Sequence, residues 1–337
     1  KNTLSPIPVE IVWRPDIVLP VHTNGMMFES MFDNKPIKEW IVYSIGGGDL
    51  SEGESQKEKE TLYDKTTMKD ILEWCQNTGK TFWEYVEDTE GKEIYDYLQT
   101  VWNTMEAAIH RGIDNEGLLP GGLGLQRKAS MYSIKAKGYQ GSMKSRALIY
   151  SYALAVSEEN ASGNIIVTAP TCGSCGVLPS VLYHLKINHD FSDQKIIRAL
   201  ATAGLIGNLV KANASVSGAE VGCQGEVGVA CSMAAAAACQ LFGGSPQQIE
   251  YAAEMGLEHH LGLTCDPICG LVQVPCIERN AFAAARALDS CSFAMLSDGK
   301  HLINFDKVVR TMQQTGHDLP SLYKETSMGG LAINLDK

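Results

Sequence analysis

Along most of this chain, apolar positions recur at three- and four-residue intervals, the pattern of helices that bury one face. Residues 67–75 show it first, with a stop at Thr78-Gly79. Residues 93–112 repeat it, placing Leu98, Val101, Trp102, Met105, Ala108 and Ile109 on one face. Further helices are predicted over 146–157 and 193–213. Ser245-Pro246 supplies a cap and a proline at a helix start, and Pro275 does the same for a helix over 276–289. A last helix is predicted from Asp306 through Gln314, closing near Gly316. The uncharged stretch 227–244 imitates a membrane span. Its Ala, Gly, Cys and Ser are too weakly hydrophobic for one, and a buried core helix is the better reading.

The opening segment has a different texture. Residues 10–13, 17–19 and 40–43 are short β-branched or aromatic runs separated by Pro and by Asn24-Gly25, which predicts strands and turns. Gly46-Gly47-Gly48 follows, and then SEGESQKEKE (51–60), too polar and charged to pack, reads as an exposed linker. Beyond it, 164–167 (Asn-Ile-Ile-Val) is the best strand candidate. The fold class expected is mainly α: a large helical domain preceded by a short strand-rich piece.

Composition narrows the function. The chain has 337 residues, 45% hydrophobic and 20% charged, which excludes global disorder. Its 28 Lys+Arg against 39 Asp+Glu give a net charge of −11, with the basic residues scattered, so a nucleic-acid partner is not expected. Of the 10 cysteines, all but Cys75 lie between Cys172 and Cys291. In a reducing compartment, such clustering suggests metal ligands, catalytic groups or small core residues.

These cysteines do not read alike. Cys172-Gly-Ser-Cys175 lacks a second pair to complete a zinc site, and it reads best as a tight glycine-rich turn whose amides face a ligand. Cys223, Cys265 and Cys276 each sit near Gly or Pro, at a loop or helix start, where thiolates can converge and a helix N-terminus favours the ionised form. Cys231 and Cys239, inside the alanine-rich helix, read as core residues, as do Cys75 and Cys291. Their spacing matches no ferredoxin run, which argues against simple electron transfer but leaves room for a cluster with an incomplete protein ligand set. His259-His260 suits capping at a helix end, whereas His22 sits in a loop and is a functional candidate. Residues 211–220, just before Cys223, have the composition of a polar pocket floor or a surface loop.

Three segments carry a resemblance: TAPTCGSCGV (168–177), NASVSGAEVGCQGEVGVACSMAAA (213–236) and GLTCDPICGLVQVPCIERNA (262–281). With LPVHTNG (19–25), YSIGGG (43–48) and ETSMGGLA (325–332), they make nearly the whole chain resemble the iron–sulfur L-serine dehydratases, or L-serine ammonia-lyases. The resemblance implies a [4Fe–4S] cluster held by Cys223, Cys265 and Cys276, with one iron open to substrate and no pyridoxal phosphate. It also implies a cytoplasmic homodimer in amino-acid catabolism. On that basis residues 1–50 are expected to be the end of an α/β domain, 51–65 a linker, and 66–337 the helical catalytic domain. No membrane association is expected.

The implied chemistry is removal of the Cα proton of L-serine and loss of its β-hydroxyl with Lewis-acid help, giving aminoacrylate and then pyruvate and ammonia. Thr171, Asn213 and Ser217 are the candidates for holding substrate, and His22 for acid–base work. Three features depart from the family pattern. A Gly-Pro-Ser-Ser-Ser-His-Thr run, whose His is the usual candidate base, is absent, and with Lys1 first an upstream segment is expected. The tail lacks the cysteine that several relatives carry, and Cys172 stands where many have Asn. The alternatives at this point are an iron–sulfur redox or sensor protein and a non-catalytic serine-binding subunit.

Overall fold

A computed structural model describes residues 7–12, 14, 17, 19, 21, 24–33, 35–53 and 62–334. The strand-rich piece is a three-stranded antiparallel sheet in the order β1 (Gly25–Phe32), β2 (Lys35–Gly46), β3 (Asp49–Ser51). Gly25 pairs with Tyr43 and Phe28 with Trp40, and a bulge falls between Ser30 and Met31. Most of β1 and β2 is exposed, while Val42 and Tyr43 at the root are buried. The Gly46–Gly48 turn is held against the helical body. A Cβ at Gly46 would stand 3.0 Å from Cβ of Ser217, and Lys211 pairs with Asp49 at 2.6 Å.

The strand reading holds for 40–43, inside β2. It fails at Glu10, Ile11, Val12, Ile17 and Leu19, which form no strand, while Trp13 and Val18 lie outside the described residues. Residues 164–167 are not a strand either. No strand among the described residues pairs with them; instead the Arg111 guanidinium donates to the Ile165 carbonyl at 2.5 Å.

The helices follow the apolar periodicity closely. α1 (Met68–Thr78) is capped by the Thr67 side chain and ended by Gly79 in the left-handed conformation. α2 (Phe82–Glu90), α3 (Ile94–Asp114) and α4 (Ala129–Ala136) follow. α5 (Gly141–Ala161) is longer than the predicted 146–157. α6 (Val177–His189) leads to α7 (Asp193–Asn213), which has the predicted bounds. After the one-turn α8 (Gly218–Val221) and a π-helical turn, Gln224–Gly228, comes α9 (Val229–Leu241). α10 (Pro246–Glu258) starts with the expected cap, Ser245 and Gln248 bonding reciprocally. α11 (Cys276–Met295) and α12 (Phe305–Asp318) outrun their predicted ends.

Helix α9 is the centre of the body, surrounded by α6, α7, α10 and α11. All its residues but Gln240 are buried, as a helix apolar on every side requires. Its small side chains let backbones approach. At Gly256 of α10 a Cβ would meet the Ser232 backbone at 2.8 Å, and the Ser232 hydroxyl donates to the Ala253 carbonyl at 2.6 Å. No helix among the described residues is long and apolar enough to cross a membrane.

Candidate metal centre and substrate site

Cys223, Cys265 and Cys276 are all buried, 2%, 3% and 7% exposed, and the Cys223 and Cys265 thiols are in hydrogen-bond contact. None lies in the middle of a helix. Cys223 precedes the π-helical turn, Cys265 pairs its main chain with the 323–325 segment, and Cys276 is the first residue of α11. Backbone at such junctions lets a short Cβ–Sγ arm point inward without obstruction from a helix wall.

A closed ring of hydrogen bonds holds these segments in register. Gln224 accepts from the Gly262 amide at 2.9 Å and from the Thr315 hydroxyl at 3.0 Å, tying the Cys223 turn to the Cys265 segment. Arg279 of α11 donates to the Thr264 carbonyl at 2.6 Å, tying that segment to the Cys276 helix. Asn280, 1% exposed, bonds three main-chain groups of two segments: it donates to the carbonyls of Gly173 (2.7 Å) and Cys276 (2.8 Å) and accepts from the Gly176 amide (2.8 Å). Thr171 closes the ring by donating to Glu226 at 2.7 Å, back in the Cys223 turn.

Two carboxylates complete the site. Glu226 Oε2 lies 3.4 Å from the Cys265 thiol, and Glu325 Oε1 lies 3.8 Å from it. One oxygen of each, with that sulfur, falls within 4.8 Å of the others, a spacing that could hold a metal ion. Glu325 has φ 58°. Its amide donates to the Cys265 carbonyl at 2.6 Å, and its other oxygen accepts from the Asn24 amide at 2.7 Å. Asn24 thereby brings the start of the β-hairpin to the site.

The electrostatics are unequal across the thiols. The Cys223 thiol is lowered to about 7: the Cys265 S–H donates to it, and the Arg279 guanidinium favours its negative charge against the cost of burial. Cys265 is correspondingly raised, as the donor of that bond and as a buried group near Glu226. Cys276 is pushed well up by burial and then by the negative groups around it. Glu226 is raised well above the carboxylate range by burial, then by Glu325 and Cys223.

Of the other sequence candidates, Thr171 and Ser217 are buried beside this group. Ser217 stands at the start of α8 and makes no side-chain cap bond to it. Asn213 is not brought in. It ends α7, exposed, and its amide is spent on the carbonyls of Thr66 (2.7 Å) and Leu209 (2.8 Å). His22 lies outside the described residues. All ten cysteines are free, so Cys172 and Cys175 are not joined; they form a 3₁₀ turn with Cys172 exposed and Cys175 buried. His259 and His260 do end α10, each ring bonding a carbonyl of its last turn. Sequence reasoning missed Glu226, Glu325, Arg279 and Asn280. Only Arg279 and Asn280 carried a signal, standing one helical turn after Cys276 and so facing the same side.

The chain belongs to the serine dehydratase alpha chain family, whose model matches residues 47–332. Among curated relatives, L-serine dehydratase of Streptomyces coelicolor is 43% identical over 333 residues, and L-serine dehydratase 1 of Escherichia coli K12 is 44% identical over 332. Each match takes in 94% of this chain and 73% of the relative. L-serine dehydratase of Helicobacter pylori is 40% identical over 93% of the chain.

Proposed function

We propose that the protein is an L-serine ammonia-lyase, converting L-serine to pyruvate and ammonia with a [4Fe–4S] cluster held by Cys223, Cys265 and Cys276. The observation that supports this reading is the ring of hydrogen bonds that ties together the three separate segments bearing these buried cysteines. The residues fit the group. The Cys276 sulfur has no hydrogen-bond partner among the described residues, and a Cβ at Gly218 would fall 3.0 Å from the Cys265 sulfur, so any side chain there would crowd that thiol. When bound, a cluster with three protein thiolates supplies an iron able to act as a Lewis acid toward the substrate hydroxyl.

The chain's own residues have the remaining work. Arg279 supports the Cys223 thiolate, and Asn280 fixes the Thr171 turn relative to Cys276. Thr171 and Ser217 offer hydroxyls to the substrate from buried positions. His22 is our candidate for moving the Cα proton; Asn24, two residues further on, is anchored on Glu325. Over the whole reaction serine loses its Cα proton and β-hydroxyl as water, and the resulting enamine tautomerises and is hydrolysed. That hydrolysis takes the water back and releases ammonium and pyruvate. The reading involves no pyridoxal phosphate. A cytoplasmic homodimer completes the reading, and the exposed Met27, Phe28, Met31 and Phe32 of the hairpin suit a subunit contact.

Anaerobic reconstitution with iron and sulfide, followed by serine titration, tests the proposal. The expected result is a serine-dependent change in the cluster spectrum together with pyruvate release. A fully ligated centre that cycles one electron and ignores serine would replace this reading with a redox or sensor function.

A further inference from the structure

We propose that the outward face of α11 is the two-fold contact through which two copies of this chain pair. This rests on the homodimer included in the function proposed above and assigns its surface. Along the solvent side of α11 stand Glu278, Phe282, Arg286, Asp289, Phe293 and Leu296, all exposed and spaced by three or four residues. Three of them are large and apolar: Phe282 is 68% exposed, Phe293 54% and Leu296 90%. Both phenylalanines are braced by a neighbouring helix. Tyr150 of α5 packs beside Phe282 with ring centroids 5.7 Å apart, and Tyr251 of α10 packs beside Phe293 at 6.0 Å. Tyr251 is itself stacked on His301 at 4.1 Å. Aromatic side chains held in place from the side, yet open to water in front, have the character of an interface core.

The order of these residues says what covers them. Phe282, Arg286, Asp289 and Phe293 are placed symmetrically about the point between Ala287 and Leu288, with aromatic ends and opposite charges at the centre. A two-fold axis through that point, perpendicular to the helix, lays a second α11 antiparallel on the first. Phe282 then stands level with the partner's Phe293 at both ends of the contact, about 16 Å apart at 1.5 Å per residue. At the centre Arg286 stands level with the partner's Asp289, twice over. A contact between identical patches requires this kind of self-complementarity. The charges are available for it. Arg286 makes no ion pair or hydrogen bond among the described residues, and Asp289 has there only the Arg146 guanidinium at 3.7 Å, both side chains being exposed. Were the partner a different protein, nothing would require the two phenylalanines and the two opposite charges to share one midpoint.

The test uses charge reversals in the full reconstituted chain, with the dimer constant read by sedimentation equilibrium. Arg286→Glu sets a carboxylate against the partner's Asp289, and Asp289→Arg sets a guanidinium against the partner's Arg286. Each variant alone is expected to weaken the homodimer about 100-fold or more, because like charges then face one another twice. Mixed in equal amounts, the two variants satisfy both central pairs, one of them inverted. A heterodimer of near wild-type affinity is therefore expected, detected by a label on one variant, and its return also shows that both variants are folded. Phe282→Ala is expected to weaken the homodimer about 30-fold. A wild-type chain that stays monomeric, single reversals that keep the dimer, or a mixture that stays monomeric each overturns the inference. So does a dimer that survives all the α11 changes and is lost in Phe28→Ala, which would place the contact on the hairpin. A chain that pairs as described but releases no pyruvate from serine removes the lyase reading and leaves this surface standing.

Discussion

Two regions of this molecule bury cysteines equally well, and only one of them holds a thiol whose ionised form is favoured. In the helical core, Cys231, Cys239 and Cys291 are 0–2% exposed; around Cys223, Cys265 and Cys276 the figures are 2–7%. In the core, burial pushes the Cys231 thiol up, and the charges of Arg286 and Asp289 oppose one another. Cys291 is raised by its contact with Cys239 and by burial, with no cation to oppose it. At the site, Cys223 is lowered to about 7 by the Cys265 S–H and by Arg279. Depth below the surface therefore says little about what a thiol can do. What decides is whether donors and a cation are built around it, and the non-helical backbone at the site is what makes room for them.

The largest effect expected from this contrast is on iron. Replacing Cys223, Cys265 or Cys276 by Ser removes cluster binding, whereas Cys231→Ser leaves it intact; iron per chain after anaerobic reconstitution measures both. A cluster that survives all three changes would dissolve the distinction. Next comes the clamp between the regions. Asn280→Ala leaves the Gly173 and Cys276 carbonyls and the Gly176 amide without their side-chain partner, a loss of about 1–3 kcal/mol in denaturant unfolding. Slower cluster retention should accompany it, and normal retention would show that the ring does not position the ligands.

The smallest expected effect sharpens the core side of the comparison. Glu254 of α10 is raised to about 8 by burial, then by Glu258 and Glu250, from an ordinary value of 4.5. Between those values the folded chain holds a proton that the unfolded chain releases, so this group's contribution is present at low pH and is lost as pH rises through about 8. Glu254→Gln should therefore raise Tm by a few degrees above pH 8 and change it little near pH 4.5. An equal shift at both pH values would mean that the carboxyl is not held neutral by the core.

Helix existence was legible because the signal is local. The faces around Trp102 and Met105, the Ser245 cap and the full extent of α7 all follow from residues within a few turns of one another. The strands at 10–12 and 164–167 were misread because β-branched composition is only half of a strand, and the pairing partner it needs is not in the local sequence. The same distinction divides the site. Cys223, Cys265 and Cys276 could be singled out by their Gly and Pro neighbours, but Glu325 and Glu226 could not, since nothing near either marks it as facing a sulfur.

By itself, then, the sequence determined a mainly helical body, the order of its helices and which cysteines sit at backbone junctions, because propensity, capping and periodicity act over a few residues. Only the tertiary structure decided that Thr171, Glu226, Cys265, Cys276, Asn280 and Glu325 share one place. That convergence depends on hydrogen bonds between segments far apart in the chain, and on a glycine at 218 whose value is visible only once the carboxylates stand opposite it.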